Sequence, residues 1–365
     1  MQAAPALRNQ EALELLDGGG EAYPRMLEAI STAGRTVYLE VYTFSDVGVG
    51  REFVDALSAA ARRGVKVEVI IDGWGSAITG RAVKAQLEAE GCKVDIFQPL
   101  HTLLLGRFRR NHRKILLVDD ELVFIGGINI GDEYRSTPDR IGWADLALAI
   151  RGPSVARLGR RIRREDLGAE VGAVKIHLSS WGGGWRLRDR YVRFLRDARA
   201  RILLAHGYFL PDRRLVKAIL KAAARGVEVH LLLSGRSDVP FARAAIMRIY
   251  SRLLPAKVRI YEWTHSVMHA KAAVLDGKET LIGSFNLDPF SLRNFETLVE
   301  VDDVSIASDT EGWIHQRISE SREITLADCA VSGISGWLML RMGMVGAVLA
   351  RFFGRLMGSG PRHWP

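Results

Sequence analysis

The stretch HRKILLVDDELVFIGGIN, residues 112–129, opens with a histidine and a lysine two positions apart. Ile115 to Val118 read as a buried strand, so His112 and Lys114 stand on one face at its start. A buried strand does not carry an imidazole and an ammonium side by side without a reason, because removing them from water is costly. The reason lies further along the chain. HAKAAVLDGKETLIGSFN, residues 269–286, repeats the pattern. His112 and His269, Lys114 and Lys271, Asp119 and Asp276, Gly126 and Gly283, and Asn129 and Asn286 all stand 157 residues apart. Five matched functional-type residues at one offset mark a duplication.

The flanking sequence repeats too. TVYLEVYTF, a helical EFVDALSAAARRG and VKVEVIID are answered by RILLAHGYFL, LVKAILKAAARG and VEVHLLLSG. Strand and helix signals alternate in both copies, which predicts βαβ units and a parallel or mixed sheet. Gly64 and Gly226 end the two equivalent helices. The expected fold is α/β, duplicated: two α/β/α halves with mixed sheets, related by a pseudo-twofold, with the active site at their interface. The halves are placed at residues 11–170 and 185–320. The glycine cluster SSWGGGW, residues 179–185, is the expected join.

The 365 residues are 48% hydrophobic and 25% charged, an ordinary globular composition. Net charge is +9, which favours anionic partners such as nucleic acid, acidic headgroups or phosphorylated substrates. The basic run RLGRRIRRED, residues 157–166, is expected as a solvated helix face, with headgroup contact as the alternative. Two cysteines, Cys92 and Cys329, provide neither a disulfide framework nor a metal cluster and fit a reducing compartment. The first residues lack an apolar core flanked by basic residues, so no signal peptide or N-terminal span is expected.

Two histidines, two lysines and two asparagines meeting at one interface suit a phosphodiester. One histidine attacks phosphorus and the other protonates the leaving oxygen. An imidazole pKa near ~6.5 allows one to be neutral and the other protonated. Lys114 and Lys271 supply positive charge. Asn129, Asn286 and Ser284 are expected to donate to the non-bridging oxygens, and Gly126, Gly127 and Gly283 to let backbone approach closely. Asp119 and Asp276 complete the motif and are counted with its catalytic set, but seven extended residues span roughly 23 Å. Each is too far along its strand to serve its own histidine, and reads as a structural or cross-motif group. Asp145 and Glu296, each opening a strand after the motif asparagine, are better placed to orient an imidazole. The competing meaning of such a carboxylate is a charge at a strand end. Zinc is disfavoured by the lysine beside each histidine, and no metal or cofactor is expected.

Both copies match His-x-Lys-x4-Asp-x6-Gly-[Gly/Ser]-x-Asn and so resemble the phospholipase D superfamily, from about residue 11 to about 320. LELLDGGGEAYPRMLEAI, VIIDGWGS, NHRKILLVD running into GGINIGDEY, GYFLPD and GSFNLDPFSLRNFE are similar to bacterial cardiolipin synthases, particularly the short type without N-terminal membrane helices. Gly127 stands where other branches commonly have serine. The resemblance implies phosphatidyl transfer from phosphatidylglycerol to a second phospholipid alcohol through a phosphohistidine. It makes His112 the nucleophile and His269 the acid, then the base. It implies phospholipid substrates and a peripheral place on the cytoplasmic face of the inner membrane, with no nucleic acid partner. The alternatives are a phospholipase D-type hydrolase or a metal-independent nuclease of the same superfamily, and a non-catalytic membrane scaffold.

Residues 325–365 form an apolar and basic tail. Arg341, Arg351 and Arg355 fall within about 80° of one another on a helix, leaving a broad apolar remainder. That suits a helix lying in a bilayer surface. Packing on the protein's own core and spanning the bilayer are the competing readings.

Overall fold

A computed structural model describes residues 12–99, 109–152, 155, 159–160, 169–171, 174–180, 183–236 and 242–329. Its first sheet contains β1 (Ala12–Asp17), β2 (Thr36–Val41), β3 (Lys66–Asp72), β4 (Lys93–Phe97), β5 (Ile115–Val118), β6 (Leu122–Gly126) and β7 (Leu146–Arg151). They lie in the order β1-β7-β6-β5-β2-β3-β4. β2, β3 and β4 are parallel, and every other neighbouring pair is antiparallel.

The second sheet contains β8 (Ala169–Val171), β9 (Val174–Leu178), β10 (Arg201–His206), β11 (Glu228–Ser234), β12 (Arg259–Trp263), β13 (Lys271–Leu275), β14 (Glu279–Gly283), β15 (Thr297–Asp302) and β16 (Arg322–Glu323). Their order is β16-β12-β11-β10-β13-β14-β15-β9-β8. Seven of these repeat the first sheet strand for strand, β9 taking the place of β1 and β10 that of β2. β8 and β16 are additions at the two edges. The expected mixed-sheet duplication is therefore present.

The crossover helices follow from the apolar spacing. Val49, Phe53, Val54, Leu57 and Ala60 form the buried stripe of the helix Val49–Arg62, which returns the chain from β2 to β3. Leu215, Val216, Ile219 and Ala222 do the same in Arg213–Ala224, between β10 and β11. Gly64 and Gly226 follow with φ of +89° and +88°, a conformation that strains any residue with a Cβ.

Alternation along the strands builds separate cores. Leu116 of β5 packs with Tyr23, Ile30, Phe53 and Leu57 beneath the outer helices. Its neighbour Leu117 faces the other way, against Ile176, Val299, Val301 and Ile306 of the second half. Each such side chain contributes about 1.5–3 kcal/mol on burial. The two sheets thus pack face to face with helices outside. The helix Val304–Ser319 joins the packing through Trp313 and Ile314, which lie in one core with Leu146 and Ala272.

β9 pairs with β15, so Val174–Leu178, ahead of the glycine cluster at residues 179–185, lies in the second sheet. Gly183 and Gly184 stand at the start of the helix Gly184–Asp197. A Cβ on Gly184 would lie 2.5 Å from the Leu292 backbone, so the requirement there is close packing. The expected docking tail lies outside the described residues from residue 330 on, with Arg341, Arg351 and Arg355. So does most of the basic run 157–166. Among the described residues no helix is long and apolar enough to cross a membrane.

Candidate active site

Two equivalent crossings carry the chain of each half onto the other. Asn111 bridges Phe295, and Ala144 bridges Met268, both parallel. The His112 N–H donates to the Phe295 carbonyl at 2.8 Å, and the His269 N–H to the Ala144 carbonyl at 2.8 Å. Asn111 and Met268 precede the two histidines, while Ala144 and Phe295 precede Asp145 and Glu296. The bridges therefore seat each histidine beside the carboxylate of the opposite half. Nδ1 of His112 stands 2.9 Å from Oε2 of Glu296, and Nδ1 of His269 stands 2.6 Å from Oδ2 of Asp145. All four side chains are buried.

The lysines complete the cluster. Lys114 Nζ donates to the His112 carbonyl at 2.7 Å and lies 5.2 Å from the Tyr42 ring. Lys271 Nζ donates to the His269 carbonyl and stands 2.9 Å from His269 Nδ1. Burial, then the charges of both lysines, hold both imidazoles well below their ordinary pKa. Burial raises Asp145 and Glu296 above the usual carboxylate range, opposed by the two lysines. Burial lowers both lysines, opposed by the same two carboxylates. Each lysine thus acts electrostatically on both carboxylates, so the six groups form one site.

Other expected residues are placed differently. Ser284 Oγ donates to Glu296 Oε2 at 2.6 Å and accepts the Thr297 N–H, so it supports the carboxylate behind His112. Asn129 Oδ1 accepts the Thr43 N–H at 3.1 Å, and its Nδ2 donates to the Tyr134 hydroxyl at 2.7 Å. Ser284 is thus already engaged, and Asn129 has one amide hydrogen uncommitted. Asn286 is buried, and its side-chain oxygen has no hydrogen-bond partner among the described residues. A Cβ on Gly127 would lie 2.2 Å from Asp145 Oδ1, so the glycine makes room for that carboxylate.

Asp119 and Asp276, counted with the catalytic set, are not in the cluster. Asp119 and Asp120 have φ of +54° and +59° and turn β5 into β6; Asp276 and Gly277, at +52° and +67°, turn β13 into β14. Two successive positive φ values are the requirement of a tight hairpin, which Asp and Gly meet best. The Asp119 carboxylate accepts N–H groups of Gly34, Arg35 and Thr36 at 2.7–2.8 Å. Asp276 does the same for Arg199, Ala200 and Arg201 at 2.8–2.9 Å. Each aspartate holds the start of the neighbouring strand, at the far end of the sheet from the histidines.

The sequence reading missed several groups. The Tyr134 hydroxyl lies 3.4 Å from His269 Nδ1, and Tyr42 meets His112 edge-on at 4.9 Å. Trp143 lies 5.5 Å from the His269 ring. Behind His112, Asp72 accepts the Asn111 N–H at 2.7 Å, and Glu40 accepts from the Asn111 amide at 2.9 Å. Each of these aromatics follows a strand or precedes a crossing, but none repeats at the 157-residue offset.

A family described as "Cardiolipin synthase, PLD-like domain" matches residues 26–137 and 191–318. Cardiolipin synthase B of Salmonella typhimurium is 30% identical, covering 98% of this chain and 92% of its own. Cardiolipin synthase 1 of Staphylococcus aureus is 30% identical over 84% of this chain and 67% of its own. Among solved structures, the phosphatidylserine synthase of Haemophilus influenzae superposes with a TM-score of 0.72 over 93% of both chains, at 14% identity, which shows a shared fold. The motif pair, the duplicated sheets and these matches agree, and the chain belongs to the cardiolipin synthase family of phospholipase D-like proteins.

Proposed function

We propose that this protein is a cardiolipin synthase: it transfers the phosphatidyl group of phosphatidylglycerol to a second phospholipid alcohol through a phosphohistidine. The crossed histidine–carboxylate pairing carries the reading. A carboxylate at Nδ1 holds the N–H there and leaves the Nε2 lone pair free to attack. His112 Nε2 forms a bond to phosphorus, and the bond to the glycerol headgroup oxygen breaks. That oxygen takes the proton of His269, and glycerol leaves. The acceptor hydroxyl then gives its proton to His269. Its oxygen attacks phosphorus, and the phosphorus–nitrogen bond breaks.

The charges support this sequence. Two ammonium groups and two carboxylates balance formally, and burial holds the imidazoles neutral. An entering phosphodiester anion between the lysines adds a negative charge, which favours one further proton on an imidazole. The lysines then stabilise the charge that grows on the non-bridging oxygens. The Asn286 side-chain amide Nδ2–H is a further donor for those oxygens. We place the protein peripherally on the cytoplasmic face of the inner membrane, with phospholipids as substrates and the tail 325–365 as a docking element. We read the chain as two catalytic halves followed by that tail.

Labelled phosphatidylglycerol in vesicles tests the reading. Cardiolipin with released glycerol is the expected product. Phosphatidic acid would replace transfer by hydrolysis, and cleaved DNA with untouched lipid would replace it by a nuclease. Denaturation with detergent at neutral pH during turnover, which spares an acid-labile phosphorus–nitrogen bond, should leave phosphatidyl label on the protein, and His112→Ala should abolish both label and product.

A further inference from the structure

Five of the seven large hydrophobic side chains exposed among the described residues lie at one end of the molecule. Val47 is 64% exposed, Trp74 50%, Ile78 94%, Ile141 53% and Phe290 64%. Val47 follows β2, and Trp74 and Ile78 follow β3. Ile141 lies between β6 and β7, and Phe290 between β14 and β15. All four connections leave the strand ends at which the histidines sit. β2 and β5 are antiparallel, with Glu40 opposite Ile115, so the C-terminal end of β2 is beside His112. Gly126 and Gly283 end at the same edge. The exposed Val304 and Leu326 follow β15 and β16, which run away from it.

We propose that these loop tips, Val47, Trp74, Ile78, Ile141 and Phe290, dip into the lipid bilayer, so that the protein docks with its catalytic cleft facing the membrane. The inference rests on the phosphatidyl-transfer reading and adds the docking face. Four tips come from the first half and one from the second, all at the strand ends that carry the histidines, so a surface that covers them faces the site. A protein partner or a second copy there would shut substrate out, whereas a bilayer delivers it. Separate apolar tips also suit a fluid apolar phase, which needs no complementary shape.

Charge at the same end fits an anionic headgroup layer. Arg186 and Arg214 are exposed in the first turns of the helices Gly184–Asp197 and Arg213–Ala224, both of which start at this end. They line a cleft of ≈ 490 Å³ with Arg190 and Arg193. Arg110 lies 5.1 Å from the Trp74 ring, a cation held against a side chain suited to the headgroup depth.

The test uses the full chain with Cys329→Ser, since Cys92 is buried and Cys329 is not. An environment-sensitive fluorophore is attached at Ile78→Cys, Phe290→Cys or Val304→Cys. Vesicles of phosphatidylglycerol and phosphatidylcholine are added, with and without a quencher on the acyl chains. Emission should shift to the blue and be quenched at 78 and 290, and stay unchanged at 304. Quenching at 304 instead, or none at 78 and 290 while the protein sediments with vesicles, overturns the orientation. Self-association without quenching would assign the tips to a second copy and overturn it too. Turnover of labelled phosphatidylglycerol is read on the same samples. Cardiolipin formed without quenching at 78 leaves the enzymatic reading intact and removes this one. Quenching at 78 without turnover does the reverse.

Discussion

Glu296, on the second half, stands 2.9 Å from Nδ1 of His112, on the first. Only the folded arrangement joins them, because the bridge between Asn111 and Phe295 fixes both. Glu296→Gln keeps the shape and removes the charge that fixes the tautomer and favours a proton on Nδ1. Turnover should fall by about 10²–10⁴-fold, mostly in kcat. Ser284→Ala removes only the hydroxyl that supports Glu296 and should cost less. Steady-state transfer assays check both, and a wild-type kcat for Glu296→Gln would remove the orienting role.

Gly127 and Ser284 stand at equivalent positions yet meet their carboxylates differently. Ser284 donates to Glu296, whereas a Cβ at Gly127 would collide with Asp145. Gly127→Ser should therefore displace Asp145 from His269 and lower turnover by at least about tenfold. The reciprocal Ser284→Gly creates no clash. If Gly127→Ser matches the native rate and stability, the carboxylate has more room than the structure shows.

The residues that were legible in the sequence are those that the duplication repeats. His112, Lys114, His269 and Lys271 share one offset and converge. The duplicated mixed sheets also followed from alternating strand and helix signals. The crossed pairing was not legible, because a repeat shows which residues are equivalent and not which of them touch. Glu296 lies 27 residues from His269 and 184 from His112, yet it is His112 that it holds. Asp145 and Glu296 are 151 residues apart, off the common offset, since the connections before them differ in length. Tyr134 and Tyr42 escaped for a related reason: tertiary packing brings them to the imidazoles, and no local pattern marks it. Glycine enrichment marks close packing as well as linkers, as at Gly184 against the Leu292 backbone.

Burial lowers Lys114 and Lys271, so the free enzyme should lose positive charge on the alkaline side earlier than ordinary lysines would. The sign is fixed: a depressed amine is charged below its folded pKa and neutral above it. kcat/KM should fall as pH rises well short of ~10. The bound phosphodiester favours the charged amines, so the limb in kcat should lie at higher pH than that in kcat/KM. Rate profiles at limiting and saturating substrate check this. An alkaline limb near ~10 in both would mean that the lysines are not depressed.

Asp119 separates a structural from a catalytic role most cleanly. Its partial burial pushes the carboxyl up, but three backbone N–H groups outweigh that and hold it below the usual range. Its contribution to stability is therefore present above the unfolded value near ~3.9 and is lost as pH falls through the lowered folded value. Asp119→Ala leaves the N–H groups of Gly34, Arg35 and Thr36 without that acceptor, though water reaches the first two. A loss of about 1–2 kcal/mol is expected. Asp119→Asn keeps one acceptor, tolerates the positive φ and should lose less. Both variants should keep kcat within about tenfold at temperatures where they are folded, because the carboxylate touches no group of the histidine cluster. Denaturant melts and transfer assays on the same preparations decide it. Undiminished stability with a kcat as low as that of His112→Ala would return Asp119 to the catalytic set.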